Sequence, residues 1–167
     1  MKDFEKAAGT PAPELIDGAG LRVGVVVSRY NEKITEALYE GARECLVRQG
    51  VAEADVFRVD VPGAWELPQG LRWAGRAHRP DALIGIGVVI RGGTPHFDYV
   101  CIGCTDGFRT VAGELDVPIG FGLLTCDTLE QAVARAGGEV GNKGEEAALA
   151  ALEMANLRRA LSPGVPS

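Results

Sequence analysis

Basic side chains are in the minority in this chain: 17 Lys and Arg stand against 23 Asp and Glu, giving a formal charge of −6 and a pI near 5.0. Binding nucleic acid or an anionic membrane by counterion release needs a basic face, so neither is expected as a main partner and any anion site must be local. Long apolar runs are absent too. No stretch approaches the roughly 20 residues a membrane span requires, and the opening MKDFEKAAGTPAPEL lacks the basic-then-apolar order of a secretory signal. A cytoplasmic protein is the expectation. Aromatic residues make up 6% of the chain, which points to a core of small, close-packed side chains. Of the two histidines, His78 ends a helical pattern at GRAHRP and reads as a surface residue, whereas His96 follows an apolar strand. The four cysteines, at 45, 101, 104 and 126, occur in a chain long enough to build its core without staples, so reduced thiols are the default.

What remains is strongly patterned. The length of 167 residues suits one domain. Residues 1–14 and 161–167 mix Gly, Pro and polar residues without a period and read as tails or arms around a domain over 15–160. LRVGVVVS is a continuous apolar run, the mark of a strand buried on both faces. Ile34, Ala37, Leu38, Gly41, Ala42, Cys45 and Leu46 then recur at helical spacing up to Gly50, a stop signal. The cycle repeats through strand DVFRVDV, turn and helix PGAWELPQGLRWAGRAH, strand ALIGIGVVI, helix HFDYVCIGCTDGFRTVAGEL weakened by Gly103 and Gly107, and strand VPIGFGLLT. Asp127 or Thr128 caps the short helix LEQAVARAG, and NKGEEAALAALEMANLRRAL closes the domain. Strands alternating with helices imply a parallel sheet covered on both faces, a three-layer α/β sandwich.

Ligands of such sheets sit beyond the carboxyl ends of the strands. The segments there are SRYN, VPGAWE, VVIRGGTPH and FGLLTCD. They bring Tyr30 and Trp65 as flat faces, Glu66 as an acceptor pair, Arg91 as fixed positive charge and His96 as a proton carrier near neutral pH. RGGTPH has two readings. Gly92 and Gly93 can take positive φ and turn N–H groups inward as a phosphate nest beside the Thr94 hydroxyl, or the segment is a tight turn in which Thr94 or Pro95 starts a helix. No GKS or GKT follows and no GxGxxG is present, which excludes a Walker loop and a dinucleotide fingerprint. Arg135 in ARAGG either complements a helix end or meets an anion, and Lys143 opposes the dipole of the helix it starts unless an anion is near. Glu145 and Glu146 read most simply as a solvated first turn, with a pairing of one of them to Arg135 as the alternative. Cys101 and Cys104 in CIGC share a helix face. A single CxxC is a poor zinc signal and lies a turn inside its helix, so buried or half-buried thiols are the favoured reading over a metal or redox role.

Five segments, SRYNEKITEALYEGA, VPGAWELP, GVVIRGGTPHFDYV, PIGFGLLTCDTLEQAVARAG and GNKGEEAALAALEMANL, in this order and spacing resemble the lumazine synthase family over about residues 15 to 158. The resemblance implies a flavodoxin-like fold with a four-stranded parallel sheet. It also implies condensation of 5-amino-6-(D-ribitylamino)uracil with 3,4-dihydroxy-2-butanone 4-phosphate to 6,7-dimethyl-8-ribityllumazine, phosphate and water, the penultimate step of riboflavin biosynthesis. No cofactor or metal is implied. Tyr30 takes the place of the aromatic that stacks on the pyrimidine, followed by Asn31. Ala64, Trp65 and Glu66 match the segment holding the ribityl chain and ring; Val88, Val89 and Ile90 match the strand end that meets the pyrimidine through backbone groups. Phe121 matches an aromatic contributed across a subunit contact. Gly93, Thr94 and Arg135, with Lys143 near them, match the phosphate site, and His96 matches the general acid and base.

Three departures accompany the match. Tyr30 and Trp65 stand where phenylalanine is common, and Ile102, Gly103, Cys104 and Thr105 replace a stretch in which many members carry an acidic or amide pair. Asp106 is then the nearest carboxylate beyond His96. The family assembles as pentamers, free, paired as decamers or closed into 60-subunit shells, with an N-terminal segment adding to a neighbour's sheet, a part for which residues 9 to 20 are the candidates. The short RAGGEVGNKG connection has the length seen in shell-forming members. A flavin- or lumazine-binding protein and a shell enclosing a partner enzyme such as riboflavin synthase are the rival readings; His96 and Arg135 together favour catalysis.

Overall fold

The two continuous apolar runs become the central strands. The computed structural model describes residues 16–162 and contains four parallel strands in the order β2-β1-β3-β4, with β1 at Val23–Ser28, β2 at Val56–Val61, β3 at Ala82–Ile90 and β4 at Ile119–Cys126. Every residue of β1 is buried, as are the first seven of β3, while the edge strands β2 and β4 are only partly covered. That difference is why the central strands read as unbroken hydrophobic runs and the edges carry Arg58, Asp60 and Thr125. The connecting helices are α1 (Glu32–Arg48), α2 (Leu67–His78), α3 (His96–Leu115), α4 (Leu129–Arg135) and α5 (Lys143–Leu161). Between α4 and α5 lies a small antiparallel ribbon, β5 (Ala136–Gly138) with β6 (Gly141–Asn142).

The period of two along the strands divides the core into two layers. Val23, Val25, Val27, Ile84, Ile86 and Val88 face α1 and α5, whose inner stripes include Leu38, Ala42, Leu46, Ala148 and Leu152. Val26, Leu83 and Leu123 face α2 and α3, where Leu67, Leu71, Phe108 and Val111 meet them. The three-layer flavodoxin-like sandwich expected from the sequence is the fold observed.

Gly103 and Gly107 do not weaken α3, which runs unbroken for 20 residues. Both lie where α2 and the turn before it press on α3: a Cβ at Gly107 would stand 2.5 Å from Pro68 Cγ, and one at Gly103 would overlap the Trp65 ring. The glycines are there for close approach, which outweighs their modest cost in helix propensity. The start of β2 is shifted as well, since Glu53–Asp55 is a single helical turn that removes Asp55 from the expected strand. Thr128, one of the two expected caps, is the one that acts, its Oγ1 accepting from Gln131 N at 3.3 Å while the Gln131 side chain accepts from Asp127 N at 2.9 Å. Residues 9–15 of the expected arm lie outside the described residues, as do 1–8 and 163–167; residues 17–20 form a turn held to their own chain by Gln49 O and the Asn156 amide.

Ser28, the last residue of β1, is fully buried, and its hydroxyl is the buried side-chain polar atom among the described residues that lacks a hydrogen-bond partner. An unsatisfied buried hydroxyl opposes folding by about 1–3 kcal/mol. Ser28→Ala is therefore expected to leave the thermal midpoint unchanged or higher. A fall of more than about 2 °C by calorimetry, which in a domain of this size corresponds to roughly 1 kcal/mol, would show that the hydroxyl is partnered in solution.

Candidate functional site

At the carboxyl end of the sheet the loops after β1, β2 and β3 converge. Arg29 N and Tyr30 N donate to Val61 O (2.9 Å) and Pro62 O (3.2 Å), so the turn after β1 is stitched to the end of β2. Asn31 caps α1 in the left-handed region, φ 59°, a conformation that asparagine tolerates better than most residues. The bend aims Tyr30 outward; it is 73% exposed and Trp65 is 60% exposed, although both are large and aromatic. Large apolar side chains left open to solvent beside a concavity mark a ligand or partner surface.

These side chains line one cleft of about 670 Å³ together with Asn31, Ala64, Glu66, Val88, Val89, Ile90, Thr94 and His96. Of the residues assigned to the pyrimidine, all but Phe121 are in it. Gly63, Gly92, Phe97, Val100 and Leu129 also line the cleft. Of these, the sequence reading names Gly92, for the loop after the third strand, and two more lie within its reach: Gly63 inside VPGAWE, and Val100 one helical turn after His96.

His96 is the first residue of α3 and is exposed at the cleft. Asp98 N and Tyr99 N turn back to Pro95 O, and the cap has no side-chain hydrogen bond, so the positive end of a 20-residue helix opens beside the loop. The nest, one of the two readings of RGGTPH, does not form. Neither Gly92 nor Gly93 has a positive φ, so the alternating backbone that turns successive N–H groups inward is missing. The glycines leave the backbone bare instead, since a Cβ at either would meet nothing within 4 Å. Of the two readings of RGGTPH the turn is the one that forms, with Pro95 as the N-cap and His96, rather than Thr94 or Pro95, as the first helical residue.

Arg91 is not an available cation. Its Nε donates to Asp127 at 2.7 Å, its Nη1 to Asp98 at 3.2 Å, and its guanidinium lies 4.2 Å from the Phe97 ring centre. It ties the loop after β3 to α3 and to the end of β4. Asp106 is not beside His96 either: it is ion-paired to Arg109 at 2.9 Å and lines a separate shallow hollow with Cys101, Ile102 and Thr105. The carboxylate that lines the cleft is Glu66.

Phe121, Arg135 and Lys143 line a second hollow of about 420 Å³ along the outer edge of β4. This separates them from Thr94 and His96, with which the motif match had grouped the two cations. Gly93 lines neither hollow. Phe121 is 46% exposed and meets Phe108 edge-on at 5.1 Å. The ribbon β5–β6 sets the geometry: Gly137 (φ 104°) and Gly141 (φ 85°) allow the reversal that brings the end of α4 and the start of α5 to one place. Asn142 then fixes α5, its Oδ1 accepting from Gly144 N (2.8 Å) and Glu145 N (3.3 Å) while its amide donates to Ala37 O (2.8 Å) on α1.

Lys143 Nζ lies 2.8 Å from both Glu146 oxygens, and Glu145 pairs with Arg48 at 2.5 Å, so neither glutamate serves Arg135. Arg135 donates Nη1 to Gln131 O at 3.0 Å, the helix-end role read from its position, and forms no ion pair among the described residues. It lines the hollow together with Glu146, whose carboxylate is taken by Lys143. His78, as expected, is exposed at the end of α2, with its ring 4.4 Å from that of Phe57. The four thiols are free; burial pushes all of them above the usual thiol range, Cys104 furthest, to about 12.

An open, all-parallel sheet with a largely apolar cleft at its carboxyl edge, framed by aromatic faces, one carboxylate, a histidine and a helix N-terminus, places the chain among α/β proteins built to take a small molecule at the strand ends. The model of the 6,7-dimethyl-8-ribityllumazine synthase family matches residues 20–159. The 6,7-dimethyl-8-ribityllumazine synthase of Aquifex aeolicus (strain VF5) is 51% identical over 142 residues, 85% of this chain and 92% of its own length. That of Anaeromyxobacter sp. (strain Fw109-5) is 51% identical over 140 residues, 84% of this chain and 86% of its own. The chain belongs to the 6,7-dimethyl-8-ribityllumazine synthase family.

Proposed function

We propose that the protein condenses 5-amino-6-(D-ribitylamino)uracil with 3,4-dihydroxy-2-butanone 4-phosphate to 6,7-dimethyl-8-ribityllumazine, releasing phosphate and water, as a step of riboflavin biosynthesis. The observation that carries this is the division of labour in one chain. A cleft of aromatic, carboxylate and strand-end groups suits a pyrimidine with a polyol tail, and a hollow bearing an unpaired arginine suits a phosphate. In this reading Tyr30 and Trp65 flank the ring, Glu66 accepts from hydroxyl or N–H groups, and backbone groups of Val88, Val89 and Ile90 meet the pyrimidine edge. Thr94 and the bare backbone of Gly92 and Gly93 at the start of α3 supply donors to the phosphate from one side, and Arg135 with Lys143 from the other.

The chemistry needs these parts. The 5-amino group attacks the ketone and, with loss of water, forms a Schiff base; phosphate then leaves with loss of a proton from the adjacent carbon. The resulting enol becomes a ketone, and the ribitylamino nitrogen closes the ring on it with loss of a second water. His96, at the mouth of the cleft, carries protons between these steps. Arg135 binds two phosphate oxygens with its planar fork and favours the leaving of phosphate. Holding two substrates in one orientation supplies most of the remaining advantage.

Because His96 and Arg135 line different hollows of one chain, the complete site forms where the cleft of one subunit faces the β4 edge of another. Exposed Phe121 on that edge supports this arrangement. A ring of such heterologous contacts closes as a pentamer, which in turn pairs or builds a shell. The four free thiols and the absence, among the described residues, of any helix long and apolar enough to cross a membrane fit a cytoplasmic setting.

The direct test is to mix the purified protein with both substrates and follow the lumazine chromophore; no acceleration over the spontaneous reaction overturns the assignment. A complementation experiment tests the shared site. His96→Ala and Arg135→Ala variants, each impaired alone, are expected to regain about a quarter of wild-type activity when dissociated and reassembled in equal amounts, because a random ring places two intact halves together at that frequency. No regain in mixed rings would mean that both residues act within one subunit.

A further inference from the structure

The stretch Ile102 to Thr105 does not line the cleft, yet Gly103 and Cys104 touch the turn that builds one wall of it. Residues 64–66 form a single helical turn between β2 and α2, and the same turn contributes Ala64, Trp65 and Glu66 to the cleft. From behind, α3 meets this turn at two consecutive positions. At Gly103 the Trp65 indole occupies the space of a side chain: Cη2 lies 3.1 Å and Cε3 3.4 Å from where a Cβ would stand, and Cζ3 overlaps it. At Cys104, which is fully buried, Sγ donates a hydrogen bond to Ala64 O at 3.0 Å. One turn further along, Gly107 receives Pro68, so positions 103, 104 and 107 form one face complementary to residues 64–68.

We propose that Gly103 and Cys104 are positioning residues for the pyrimidine side of the site, with Gly103 setting the depth at which the Trp65 wall stands and the Cys104 thiol fixing the carbonyl of Ala64. This rests on the function proposed above. The bare position at 103 and the buried thiol at 104 act on one turn, because an indole seated against α3 leaves no room for a side chain at 103. The contact is made by the inner edge of the ring, which leaves the rest of the indole, 60% exposed, to the cleft. Burial keeps the Cys104 thiol protonated at neutral pH, so it remains a donor.

The expected result concerns one substrate only. Gly103→Ala displaces the indole and is expected to raise KM for the pyrimidine amine about tenfold, with KM for the butanone phosphate and kcat changed by less than about twofold. Adding Trp65→Phe, whose shorter ring clears the new methyl, is expected to bring KM back to within about twofold of Trp65→Phe alone. Cys104→Ala is expected to raise the same KM about threefold, a typical value for one neutral hydrogen bond, and Cys104→Ser, which keeps a donor, to restore it. Equal changes in both KM values, or a double variant no better than Gly103→Ala, would overturn the proposal. Should Gly103→Ala not assemble, the Cys104 pair decides: an unchanged pyrimidine KM in Cys104→Ala overturns it, and a raised KM restored by serine upholds it. An inactive wild-type protein in the same assay would remove the proposed function, and this inference with it.

Discussion

Arg135→Ala is expected to raise KM for 3,4-dihydroxy-2-butanone 4-phosphate by about 10²-fold and to change KM for the pyrimidine amine by less than about threefold. The asymmetry follows from the charges in the second hollow. Lys143 lies against both oxygens of Glu146, so much of its charge is already answered, whereas Arg135 spends one N–H on Gln131 O and keeps the rest of its fork free. Two charge-assisted bonds to phosphate, each on the order of 1.5–3 kcal/mol, account for a loss of that size even after partial substitution by water. Arg135→Lys keeps the charge without the fork and is expected to fall between the two. Steady-state kinetics with each substrate varied in turn provides the check, and equal effects on both KM values would tell against a phosphate anchor. The thermal midpoint should scarcely move, since the residue ends a short helix and forms no ion pair among the described residues.

His96→Ala is expected to lower kcat by about 10- to 10²-fold with both KM values little changed, a loss at or below the lower end of what positioned acid-base groups contribute. The modest size has a structural cause. His96 is exposed at the mouth of a cleft open to solvent, so water takes over part of the proton transfer when the ring is removed. For the same reason imidazole added to the His96→Ala variant is expected to restore a measurable part of the rate. A kcat unchanged by the substitution would exclude proton transfer by His96 as a limiting contribution, and a rise in KM alone would make it a binding group.

Much of the fold was legible because burial leaves a direct trace in composition. VGVVV of β1 and ALIGIGVVI of β3 are apolar throughout since the strands are covered on both faces, and the helical stripe from Ile34 to Leu46 is apolar on one side because that side is the buried one. The ribbon β5–β6 was not legible. Its strands of three and two residues carry no period, and only the spacing of Gly137, Gly138 and Gly141 hinted at a reversal. The cleft side of the site was legible as well, since Tyr30, Trp65, Glu66 and His96 follow strand ends, and strand ends of a parallel sheet meet at one edge whatever the detail of the loops.

By itself, then, the sequence determined the layer order, the edge at which the cleft opens and the family, because each depends on periodicity, strand polarity and motif order along the chain. Which charges are free was decided only by the tertiary structure. Arg91 and Arg135 are alike in sequence, yet Arg91 is engaged by Asp98 and Asp127, which reach it from different elements, while Arg135 meets no carboxylate among the described residues. The same holds for Gly103 and for the parting of His96 from Arg135. A missing side chain has meaning only against the ring that fills its space, and two residues after neighbouring strands of one sheet line different hollows according to the side of β4 on which they fall. Contacts between elements distant in sequence carry no local signal; they arise when packing brings the elements together.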